Sequence, residues 1–411
     1  MTATDKSTPK SNGIKFIYRK LSSIREILAL ESNVLILSIT SAISTFGNSL
    51  WVFFLPLYFN RIGMEAPQIG AIYTVSNLTS LLLQIPAGLL ADKFGRKPII
   101  VASGLVSSLS VFIFAFSEDA VSASVAYILF NSTFFMPAAR AMLIESVPKE
   151  KRGTAVGAFF SIAPSLAVFG PIVGGALSER YGFKPLFWIG FCLHLATIIT
   201  RVLLLRETKH STSIQGHRKT SSFSSSVRLV IRNKNLFALI LAYGVYSMAG
   251  GLAGFLVPLF SRDQLKLGSS EIGFMYSILS ALLVTLSLPS GKLADKIGRR
   301  KCVIIAWIGE NLSMLGFIFA PNAYIAILMF GFWIASGQMD IPAGTAWFSD
   351  LTDEEHRGAV MGFHMTVNSL FSLPSPSIGG ILFSMSPRFP FFLDGLLSLT
   401  ALIILLALTK E

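Results

Sequence analysis

The chain has 411 residues, of which 52% are hydrophobic and only 14% charged, with a formal net charge of +12. A soluble domain would carry about 25% charged residues and no long apolar runs. The composition therefore excludes a soluble enzyme and points to an all-α membrane protein crossed by runs of about 20 residues, enough helix to traverse ~30 Å of hydrocarbon.

Residues 1–33 form a polar tail whose segment 14–31 alternates Ile14, Ile17, Leu21, Ile24 and Leu28 with Lys15, Arg19, Lys20 and Arg25. That pattern predicts a basic amphipathic helix lying on a lipid surface. Twelve spans follow, at roughly 34–59, 69–91, 98–116, 121–146, 154–178, 185–205, 235–260, 272–294, 302–320, 323–349, 358–383 and 389–408. They divide into halves 34–206 and 234–411, joined by a Ser/Thr-rich linker, 207–233. Cys192 and Cys302 both fall in apolar runs and carry no disulfide framework.

Lys and Arg are placed asymmetrically. The tail, the even-numbered loops and the C-terminus hold 26, whereas the odd-numbered loops hold six. The positive-inside rule then puts both termini in the cytoplasm of a cell-membrane protein. Most of the net charge is thereby accounted for as an insertion signal, and no nucleic-acid partner is expected.

The halves repeat. Gly88, Asp92, Gly95 and Arg96 recur as Gly291, Asp295, Gly298 and Arg299, each pair 203 residues apart, and Gly70 and Pro86 recur as Gly273 and Pro289. Further on, Glu145/Asp350, Gly153/Gly358, Pro171/Pro376, Gly174/Gly379 and Gly175/Gly380 are 205 apart. Two six-helix bundles in the same orientation follow, related by an axis along the membrane normal.

Asp92 ends span two, the unfavourable end of a helix dipole for an anion. A carboxylate there needs a partner. We expect Asp92 to dock on the start of span eleven at Arg357, and Asp295 on the start of span five at Arg152. Arg96 and Arg299 are expected to reach Glu145 and Asp350. Read otherwise, all of these are ordinary flanking charges.

The doubled loop, the twelve spans and the central linker resemble the major facilitator superfamily of secondary transporters. The resemblance covers residues 34–408. It implies a central cavity lined by spans one, four, seven and ten, and alternating access by rocking of the halves. Gly157, Gly170, Pro171, Gly174 and Gly175 also resemble the signature of the drug:proton antiporter branches, although Leu166 replaces its middle glycine. Pro376, Gly379 and Gly380 echo it in the other half, so hinge packing explains it equally.

Unmatched polar residues are where substrate and ion coupling are expected. Asp340 in span ten faces Phe135 in the repeat, and Arg140 in span four faces Thr345. They form either a switchable coupling pair or a fixed ion pair. Glu310 reads as a packing acid, with a proton carrier as the alternative. Asp394 and Arg201 lie near span ends and read as interfacial, while His194 and His364 read as packing residues. Asn48, Trp51, Asn131, Tyr243, Tyr246 and Gln338 are candidates for the cavity wall, with a bend in span seven at Gly250, Gly251 and Gly254.

No phosphate-cradling loop, His/Cys metal spacing or nucleophile–base set is present. An enzyme is not expected, nor a cofactor beyond an ion gradient. The expected function is secondary transport of a small amphipathic solute, as proton-coupled export. The alternatives are uptake of an organic acid, with Arg140 as anchor, or a non-cycling receptor-like scaffold. Membrane lipid and a small-molecule substrate are the expected partners of a monomer.

Overall fold

The computed structural model describes residues 32–208, 230, 232–354 and 356–409. The amphipathic segment 14–31 and most of the linker lie outside the described residues. Among the described residues, ten helical spans are long and apolar enough to cross a membrane: Ser32–Arg61, Arg96–Phe116, Ala120–Glu145, Lys149–Tyr181, Lys184–Leu204, Lys234–Asp263, Ser269–Ser287, Arg299–Ile318, Ala323–Asp350 and Phe389–Leu408. Helix Ala66–Phe94 and the broken pair Arg357–Ser372 and Ser375–Met385 complete two sets of six, as spans two and eleven. Both are interrupted by polar residues, among them Asn77, Ser80, Asn368 and Ser369.

Local sequence sets where the helices break. Span seven passes at Gly254 into a 3-10 turn, Gly254–Leu256, before Pro258 restarts it. This is the bend expected from its glycines. Span five breaks around Pro164 and resumes at Gly170, and span eleven breaks at Leu373 and Pro374. A proline lacks the amide proton that would continue the ladder and is pre-set to start the next segment. The repeated loop itself needs glycine: Gly95 and Gly298 sit at φ 94° and 93°, where a side chain is strained.

The halves meet through backbone. A Cβ on Gly70 would lie 2.1 Å from the Pro376 carbonyl oxygen, and one on Gly273 would lie 2.3 Å from that of Pro171. Likewise Gly380 abuts Ala66 at 2.3 Å and Gly175 abuts Ser269 at 2.4 Å. Each contact is the repeat partner of another, so the seam has the expected two-fold relation. Gly174 and Gly379 make the equivalent approach within each half, 1.9 Å from the Leu50 carbonyl oxygen and 2.0 Å from that of Leu252. Gly170 presses on Ser49, and Pro171 and Pro376 supply the carbonyls of the seam.

The seam lies at the end of the molecule away from the repeated loops. There the Thr74 hydroxyl is 2.8 Å from that of Ser377, the Ile172 amide donates to Ser277 at 3.0 Å, and Phe53 stacks on Tyr276. One hydrophobic core runs through both halves at this end. Towards the loops it divides into one core per half. Gly153, Gly157, Gly358 and Gly362, on the loop side of spans five and eleven, face open space. The two bundles are closed against each other at the far end and parted at the loop end.

Candidate functional site

At the loops, each half closes a charged triad. Arg96 Nη1 reaches Asp92 at 2.6 Å, and its Nη2 reaches Glu145 at 3.0 Å. Arg299 stands 3.2 Å from Asp295 and 2.7 Å from Asp350. The expected reach of both arginines is thus present. The expected docking across the divide is not: Asp92 pairs inside its own half, and Arg357 instead donates to the Ser349 carbonyl at 3.3 Å. The physical reason is the parting of the halves at this end. Gly88 and Gly291 lie one turn before the acids in the same helices.

The first triad has an added clasp. Glu207, leaving span six, accepts from the Arg96 amide at 2.9 Å and the Lys97 amide at 3.1 Å, capping span three. Thr208 donates to Glu145 at 2.6 Å.

Among the described residues, a cavity lies deeper in each bundle. The second-half cavity, of about 360 Å³, is lined by Asp340, Glu310 and Asp394 together with Tyr243, Tyr246 and His364. The Tyr243 hydroxyl donates to Asp340 at 2.5 Å, and that of Tyr246 donates to Glu310. Trp333 Nε1 also donates to Glu310, at 3.0 Å. The rings are themselves fixed, Tyr246 stacked on Trp307 at 4.4 Å. His364 lies against Phe348 at 4.1 Å, with its Nδ1 buried and unpartnered. Three carboxyl groups with no lysine or arginine among the lining residues make this a proton- or cation-attracting chamber.

The first-half cavity, of about 330 Å³, is its chemical opposite. Hydroxyls from Ser41, Ser44, Ser103 and Ser107 line it with Asn48, Asn131, His194 and Arg201. His194 Nε2 pairs with Asn48 Oδ1 at 2.8 Å. Arg201, only 4% exposed, donates from Nε to Thr40 at 2.9 Å and from Nη2 to Ser41 at 3.3 Å. Its guanidinium also lies over the Phe135 ring at 4.7 Å.

Several expectations are corrected here. Arg140 and Asp340 do not pair: Arg140 is exposed with its guanidinium over Phe160 at 5.3 Å, while Asp340 is buried against Tyr243. Arg201 and Asp394 are not interfacial, being 4% and 6% exposed within the bundles. Glu310 lies on the cavity wall, held by a tyrosine from span seven and a tryptophan from span ten. Trp51 is no wall residue but sits in the far-end core among Phe114, Phe130 and Phe187. Gln338 is half-buried and lines neither cavity. The missed residues, Arg201 and Ser103 above all, carry a sequence signal in hindsight: hydroxyls at 40, 41, 44 and 45 of span one form a stripe that span seven largely lacks.

The sequence profile of the Major Facilitator Superfamily matches residues 37–337 and 239–411, and the chain belongs to that family. It is a multi-pass membrane transporter rather than an enzyme. It is 27% identical over 361 residues to the multi-drug resistance efflux pump PmrA of Streptococcus pneumoniae, covering 82% of this chain and 87% of that one. To multidrug resistance protein 2 of Bacillus subtilis it is 25% identical over 365 residues, covering 87% and 90%. Among solved structures, a D323A mutant of the nucleoside transporter NupG superposes with a TM-score of 0.76 at 12% identity, covering 92% of this chain and all of that one. At that identity the likeness concerns the fold alone.

Proposed function

We propose that this protein exports small amphipathic solutes by alternating access, driven by protons that load the acidic cavity of its second half. The observation that carries this reading is the Asp340–Tyr243 and Glu310–Tyr246 pairing in an interior chamber whose lining holds no lysine or arginine. A buried carboxylate without a cation is costly, and binding a proton removes that cost. The Lys/Arg distribution supports a cytoplasmic position for the loop end. The parted halves then correspond to a state open to the cytoplasm, in which an exporter loads. The names of the efflux pumps it resembles support the direction. The charged triads act as the cytoplasmic gate, with Asp92 and Asp295 exposed, each paired with the arginine four residues on, and exchanging that partner across the divide when the halves rock.

The test is reconstitution into liposomes with an imposed pH gradient and a panel of labelled amphipathic solutes. Uphill accumulation is expected for the native chain and not for Asp340→Asn. Gradient-driven accumulation that survives the substitution overturns the coupling assignment.

A further inference from the structure

Arg201 is a cation sealed inside a bundle with no acid to meet it. It is 4% exposed, and no carboxylate pairs with it among the described residues. Its immediate partners, Thr40, Ser41 and the Phe135 face, are neutral. Dipoles and a ring quadrupole reduce the cost of a buried charge but do not cancel it. Nε and one proton of Nη2 are committed to the hydroxyls of span one. The opposite edge, Nη1 with the rest of Nη2, is left for another acceptor.

The surroundings of that edge are built for one. The Ser103 hydroxyl is buried, 1% exposed, lines the same cavity and has no hydrogen-bond partner. Gly104, next to it, admits the Ile198 side chain 3.0 Å from its missing Cβ and lies beside the guanidinium, that Cβ position being 4.0 Å from Nη1. His194, tied to Asn48, supplies further polar lining. Nothing in the repeat demands this arrangement. Thr40 is the counterpart of Tyr243, and Phe135 of Asp340, so the arginine occupies in the first half the environment that acids occupy in the second.

We propose that Arg201 and Ser103 form an anion subsite that receives the carboxylate head of a transported amphipathic acid. One guanidinium edge presents two parallel N–H groups, which match the two oxygens of a carboxylate, with the Ser103 hydroxyl donating a third hydrogen bond. A single positive charge balances a monoanion and leaves a dianionic phosphate half-compensated. The proposal rests on the transport reading for its biological meaning, and its test is therefore a binding measurement that needs no flux.

The full chain in lipid nanodiscs is dialysed against labelled 4-phenylbutyrate and, separately, 4-phenylbutyramide, which share a body and differ in head charge. The acid is expected to bind at least about tenfold more tightly than the amide, the ratio a charge-assisted hydrogen bond produces. Arg201→Gln should bring the ratio to about one, and Arg201→Lys should restore part of it. Ser103→Ala, which leaves the Thr40 and Ser41 contacts intact, should weaken the acid several-fold and the amide little, and it decides the matter if Arg201→Gln fails to fold. The proposal is overturned by equal binding of acid and amide, by no saturable binding of the acid, by a preference that outlives the loss of Arg201, or by one that the loss of Ser103 leaves unchanged. A phosphonate analogue binding more tightly than the acid overturns the single-charge assignment. Preserved acid preference in a protein that moves no solute in liposomes would overturn the transport reading and leave the subsite standing.

Discussion

The two interior cavities occupy matching places in matching bundles, yet one gathers three carboxyl groups and the other gathers hydroxyls around a lone guanidinium. Their backbones are related by the repeat; their linings are not. Ser44 and Ser247 are preserved across it, whereas Ser107 becomes Glu310 and Phe135 becomes Asp340. What the halves share is the glycine seam and the loop triads. What they do not share is chemistry, and on the proposed reading one cavity serves the driving proton and the other the solute.

The sharpest way to break this division is to remove the acids. Asp340→Asn and Glu310→Gln should each reduce uphill accumulation to background while leaving downhill exchange of labelled solute in place. Equal loss of both would place Asp340 and Glu310 in the solute's path. Asn48→Ala, in the other cavity, should change which solutes compete and not the requirement for a gradient.

The next largest effect concerns what the halves have in common. Gly70→Val drives a side chain into the Pro376 carbonyl, 2.1 Å from the new Cβ, and opens the far-end seam. It should shift the balance towards the state closed at the loops by about tenfold or more, read as labelling of a cysteine placed at Thr74 in a chain lacking Cys192 and Cys302. Gly273→Val should do the same, since the two contacts are repeat partners. Gly379→Ala acts within one bundle, 2.0 Å from the Leu252 carbonyl oxygen, and should lower stability by about 1–3 kcal/mol through overpacking without that shift.

The triads should respond unequally. The Arg96 and Glu145 side chains are 13% and 18% exposed, against 34% and 54% for Arg299 and Asp350. Arg96→Ala should therefore cost about 1–3 kcal/mol, and Arg299→Ala about 0–1 kcal/mol, in thermal unfolding. The smallest effect belongs to Glu118, fully exposed, whose carboxyl is held below its usual range by the hydrogen bond and charge of Lys184 at 2.6 Å. A lowered folded value gives stability above the unfolded carboxylate range that is lost as pH falls through the folded one. Glu118→Gln should be barely measurable at neutral pH and silent in acid.

How much of this was legible beforehand follows from what is local and what is not. The loop triads could be read because each is written twice: Asp92 and Arg96 recur in register as Asp295 and Arg299, and the acids ending spans four and ten recur at a fixed offset. The bend in span seven was legible because Gly254 and Pro258 act on their own backbone. Arg201 was not, since it lies one turn from the end of Lys184–Leu204 and only its packing on Thr40, 161 residues away, buries it. Asp394 fails for the same reason, near the start of Phe389–Leu408 yet enclosed. The Arg140–Asp340 pair rests on span assignment and the repeat, and neither fixes the direction in which a side chain leaves its helix.

The carbonyl-to-glycine seam bears on speed. Surfaces joined by interlocked side chains must unthread many rotamers before they part, which adds friction to every excursion. Here the tightest points of contact are bare Cα atoms lying on peptide oxygens, with few torsions to reset. Those tightest points can come apart and re-form with few rotamers to unthread, which leaves the friction of the joint to the side chains around them, among them the Phe53–Tyr276 stack and the Thr74–Ser377 pair.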